Sequence, residues 1–78
     1  MKEEILNSVV AAIAKQKLID PDTISDESSL AELGMTSLDA ITIVYDIEEK
    51  FEIEVPGDVL ESFVTVKDIV NCISGLVD

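Results

Sequence analysis

Apolar residues recur at helical spacing in three separate stretches of this chain and alternate in strand fashion only at Glu52-Ile53-Glu54-Val55. No second alternating stretch is present to pair with that one, and a run so short makes no sheet by itself. An all-α fold is therefore expected, and the ends of its segments can be read from their chemistry. Ile5, Leu6, Val9, Val10 and Ile13 lie on one face of a helix, with Glu3 and Glu4 in its first turn and Lys15 and Lys17 near its last, as the helix dipole favours. The spacing predicts a first helix over Lys2 to Lys17. Asp20-Pro21-Asp22 ends it, because proline disfavours the helical region for the residue before it.

A long connection follows, roughly Leu18 to Thr36. Within it Ser29-Leu30-Ala31-Glu32 has the form of a capping box closed by Gly34, and Leu30 and Leu33 are expected to anchor the connection on the core. Thr36-Ser37-Leu38-Asp39 opens a second helix, with Thr36 and Asp39 as the capping pair, running to about Lys50 or Phe51. Pro56-Gly57 punctuates the chain, Asp58 to Phe63 suits a short third helix, and Thr65 with Asp68 caps a fourth. That last helix takes its inner face from Val66, Ile69, Val70, Ile73 and Val77. The expected architecture is a three-to-four-helix bundle with a long first loop and a short third helix.

The second helix carries one apolar stripe too many. Ala40, Ile43, Val44, Ile47 and Phe51 form a sufficient core face, while Leu38, Ile41 and Tyr45 fall roughly 140° away. Asp39, Asp46, Glu48, Glu49 and Glu52 border the extra stripe, as they would a surface that meets an apolar groove with a basic rim. Composition limits the partner further. Five lysines against seventeen acids give a formal net charge of -12 over 78 residues, which repels nucleic acid and anionic membranes. The apolar fraction of 47% is that of a folded domain, expected to be single over 1–78. With no histidine, the chain contains neither a Ser–His–Asp triad nor a histidine metal site, and Asp20-x-Asp22-x-x-x-Asp26 lacks the glycine and the terminal glutamate of a calcium loop. A lone Cys72, no secretory leader pattern and no long apolar run lead to the expectation of a cytoplasmic, monomeric protein.

Gly34-Met35-Thr36-Ser37-Leu38-Asp39 resembles the acyl carrier protein family, in which a glycine, two residues and then Ser-Leu open the second helix. The likeness extends through Ile47-Glu48-Glu49-Lys50-Phe51 to Val55-Pro56, so it covers nearly the whole chain. It implies that a phosphopantetheinyl transferase attaches phosphopantetheine to Ser37 and that the terminal thiol of this arm holds an acyl group as a thioester. It further implies a shelter for the acyl chain near Ile47, Val55, Leu60 and Phe63. Leu38, Asp39, Ile41, Tyr45, Glu48 and Glu49 match the positions that dock onto basic patches of fatty-acid, lipid or polyketide biosynthetic enzymes.

The residues agree with that implication. Thr36 is free to cap the helix, which releases the Ser37 hydroxyl, and the first-turn N–H groups would face a phosphodiester. No internal base is available to activate Ser37, so the chain is the substrate of another enzyme and not an enzyme itself. Thr36 stands where the family usually has aspartate, Thr42 and Lys50 at frequent acid positions, and Tyr45 where an aliphatic or methionine side chain is usual. These departures leave open a housekeeping or a specialised role. An aminoacyl or peptidyl cargo, and an unmodified interaction module built on Leu38, Ile41 and Tyr45, are the competing readings.

Overall fold

A computed structural model describes residues 2–77. Helix α1 spans Lys2–Lys17, α2 spans Ser37–Phe51 and α3 spans Val66–Val77, with short 3-10 helices at Pro21–Thr23 and Gly57–Ser62. α1 lies against both α2 and α3, and the Gly57–Ser62 turn packs on α2. The seam between the helices is aliphatic. Ile5, Val9 and Ile13 of α1 meet Ile43 and Ile47 of α2 and Val66, Ile69, Val70 and Ile73 of α3, all buried. The expected first and second helices are present with the expected limits. Among the described residues no helix is long and apolar enough to cross a membrane.

Each helix stops for a local reason. Leu18 takes a left-handed conformation at φ 57°, and the Ile19 N–H then returns to the Ala14 carbonyl at 3.1 Å, closing the end of α1. Glu52 does the same at φ 56° after α2, with the Ile53 N–H on the Glu48 carbonyl. Beyond α1, Asp20 turns the chain by accepting the Asp22 N–H at 2.9 Å, with Pro21 at the first position of the 3-10 helix.

The long connection is fastened to the start of α3. Leu30 N–H donates to the Val64 carbonyl at 2.9 Å, Val66 N–H to Ser28 and Lys67 N–H to Asp26 at 2.8 Å, and Ser29 forms an isolated bridge with Thr65. Leu30 is thereby buried in the core and Leu33 packs on its edge. The Ser29 hydroxyl accepts only a long 3.4 Å bond from the Glu32 N–H, so the segment closes as a turn, with Gly34 at φ 76°. The strand-like run at 52–55 makes no ladder; instead the Glu48 carboxylate accepts the Val55 N–H at 2.7 Å and holds the run along α2. The short third helix is a tight 3-10 segment beginning at Gly57, with no side-chain cap on it.

Candidate functional site

The start of α2 divides its work between two adjacent hydroxyl residues. Thr36 is the cap: its backbone is extended, its hydroxyl accepts the Asp39 N–H at 3.2 Å, and its own N–H donates to Asp39 Oδ2 at 3.1 Å. Ser37 is the first helical residue and is exposed. Its hydroxyl makes no hydrogen bond among the described residues, so nothing in the fold competes for it. The N–H groups of Ser37 and Leu38 have no acceptor within the helix, as at any helix start. An anionic ester at Ser37 would meet them and the positive end of the dipole.

Asp39 faces inward from this turn. Its Oδ1 accepts from Gln16 Nε2 at 3.1 Å and its Oδ2 from Lys17 Nζ at 3.1 Å, leaving the side chain 16% exposed. The Gln16 hydrogen bond, then the Thr36 N–H, then Lys17 hold its carboxyl well below the usual carboxylate range. The end of α1 and the beginning of α2 are thus tied by one carboxylate.

Three adjoining depressions run from Ser37 along the seam between α2 and the Gly57–Ser62 turn. The first, of about 350 Å³, is lined by Ser37, Ala40, Leu60, Glu61 and Phe63 with part of the long connection. The second, about 180 Å³, lies among Ser37, Ile41, Gly57 and Leu60. The third, about 450 Å³, reaches Tyr45, Glu48 and Val55. Leu60 borders all three.

Of the residues expected to form a shelter, Val55, Leu60 and Phe63 therefore line this groove, whereas Ile47 is in the core and lines none of it. Of the residues expected to meet partners, Leu38 is 75% and Tyr45 66% exposed, Glu49 is exposed, and Ile41 is half-buried on the groove wall. Asp39 and Glu48 stand on the same helix, but their carboxylates are occupied within the chain, by α1 and by the Val55 amide. Lys50 is likewise engaged, with Nζ 2.8 Å from Ser8 Oγ and 5.9 Å from the centre of the Phe51 ring. Cys72 is half-buried, and burial pushes its thiol up, away from reactivity. Ala40 and Glu61, absent from the expected set, are brought to the site by the fold. No sequence pattern marks them.

Comparison with known proteins places this geometry in a wider group. A family model described as the phosphopantetheine attachment site matches residues 7–73. The chain is 37% identical over 73 residues to an acyl carrier protein of Campylobacter fetus subsp. fetus, covering 92% of this chain and 95% of that one. It is 39% identical over 71 residues to one from Campylobacter jejuni subsp. doylei, covering 90% and 92%. It is 36% identical over 77 residues to one from Thermosynechococcus vestitus, covering 97% and 95%.

Proposed function

This chain belongs to the acyl carrier protein family, and on that premise we propose that Ser37 is the residue that bears its phosphopantetheine arm. It carries acyl groups and is not an enzyme. The observation that carries the assignment to Ser37 is the separation of duties at the start of α2. Thr36 caps the helix, so the neighbouring hydroxyl is exposed and unengaged at the position where helix N–H groups await an anion. When attached, the arm supplies a thiol that holds the acyl group as a thioester.

The chain's own residues do the rest. The Ser37 oxygen is presented to a separate phosphopantetheinyl transferase, which must supply the base, since no side chain among the described residues hydrogen-bonds the Ser37 hydroxyl. The groove lined by Val55, Leu60 and Phe63 shelters an apolar acyl chain from water, which favours an acyl over an aminoacyl cargo. Leu38, Ile41, Tyr45 and Glu49 form the face that acyl-processing enzymes with basic patches recognise. The net charge of -12 speeds such encounters without demanding tight binding. We assign one carrier domain to residues 1–78, acting as a monomer in the cytoplasm on fatty-acid, lipid or polyketide intermediates.

The test is intact-mass analysis after incubation with a broad-range transferase, coenzyme A and magnesium. One added phosphopantetheine is expected on the native chain and none on Ser37→Ala. An unchanged native mass with several active transferases would refute the assignment, and activity surviving Ser37→Ala but lost in Tyr45→Lys would establish the unmodified interaction module instead.

A further inference from the structure

Resting on the reading that Ser37 takes the arm, we propose that Lys17 is a specificity-determining residue. It masks Asp39, so that Glu61 across the groove, and not the first turn of α2, steers a basic partner enzyme onto Ser37. Asp39 is the first acid of α2 and lies two residues from Ser37. Lys17 Nζ sits 3.1 Å from its Oδ2, with the two side chains only 26% and 16% exposed. The lysine stem also runs close to the backbone at Gly34. Its Cε would lie 3.8 Å from a Cβ placed on Gly34, whose φ of 76° favours glycine. Gln16 secures the second carboxylate oxygen, so the mask is built from the last two residues of α1.

What remains beside Ser37 on α2 is uncharged: Thr36, the serine itself and exposed Leu38. Beyond Asp39 the next acid along α2 is Asp46, nine residues past Ser37. That is roughly 13 Å along the helix, farther than the ~8 Å over which exposed charges act at physiological salt. Glu61, by contrast, is exposed on the wall facing Ser37 and borders both depressions that the serine lines. A partner that grips Ser37 with a basic rim therefore finds its negative counterpart on the Gly57–Ser62 turn. A partner built to read an acid at the start of α2 is disfavoured.

The experiment measures kcat and KM for arm transfer from coenzyme A, at low and high salt, with a purified transferase whose docking face is basic. In the Lys17 background, Asp39→Asn is expected to leave KM unchanged and Glu61→Gln to raise it roughly two- to fivefold. Lys17→Met should lower KM by a similar factor and steepen its salt dependence, and this gain should disappear in the Lys17→Met/Asp39→Asn double variant. Lys17→Arg should behave as native. Lys15→Met, which removes an equal charge from the same helix end without freeing Asp39, should have a smaller effect. The inference is overturned if Asp39→Asn raises KM equally in both backgrounds, or if Lys15→Met matches Lys17→Met. Failure of the native chain to accept the arm at all would instead overturn the Ser37 assignment on which it rests.

Discussion

Thr36 and Ser37 are adjacent, both carry a hydroxyl, and should respond oppositely to alanine. Thr36→Ala removes the acceptor of the Asp39 N–H, a 3.2 Å bond that satisfies one of the orphan donors of α2. Loss of such a cap costs about 1 kcal/mol. A 78-residue chain unfolds with an entropy of about 160 cal/mol/K near its midpoint, so the expected fall in Tm is about 6 °C. Ser37→Ala removes an exposed hydroxyl with no partner among the described residues, and should stay within about 0.5 kcal/mol, or about 3 °C. Arm attachment should show the reverse pattern, retained in Thr36→Ala and absent in Ser37→Ala. Thermal melts followed by far-UV circular dichroism, paired with intact mass after transferase treatment, read both quantities on the same samples. A Ser37→Ala variant destabilised as much as Thr36→Ala would refute the division of labour, because it would show the serine hydroxyl serving the fold.

Other consequences concern the joints of the bundle. Leu18 holds a left-handed conformation while 90% exposed, so Leu18→Gly should relieve strain and raise stability by about 1 kcal/mol, measured by urea titration. Glu48→Ala should speed hydrogen exchange at the Val55 amide, which loses its 2.7 Å acceptor, while exchange in α3 is unchanged. Asp68 accepts the Thr65 and Val64 N–H groups, which lower its pKa below the ordinary carboxylate value. Its contribution to stability is therefore complete above the unfolded-state pKa of about 3.9 and is lost as pH falls through the lower folded-state value. The Tm difference between native and Asp68→Asn should be constant above about pH 5 and shrink steadily as the pH is lowered through that range.

How far the site could be read from the sequence depended on the reach of each interaction. The Thr36–Asp39 cap spans three residues, so spacing alone revealed it and left Ser37 as the spare hydroxyl. The same holds for α1 and α2, whose periodic apolar residues and chemically marked ends matched the observed limits. The short third helix was legible as a compact turn but not as a 3-10 one, because its packing against α2 decides how tightly it winds. Apolar periodicity assigned Ile47 to the core and the family resemblance assigned it to the shelter, and only burial separated the two.

By itself the amino-acid order determined three helices, their apolar faces, the cap at Thr36 and the spare hydroxyl at Ser37, since each follows from backbone geometry within one or two turns. Only the tertiary structure decided where the charges go. Asp39 is claimed by Gln16 and Lys17 from more than twenty residues away, Lys50 by Ser8 across 42 positions, and Glu48 by an amide beyond the end of its own helix. A charged side chain on a helix surface has many possible partners, and which one lies within about 3 Å is set by how the helices cross, a quantity no local spacing encodes.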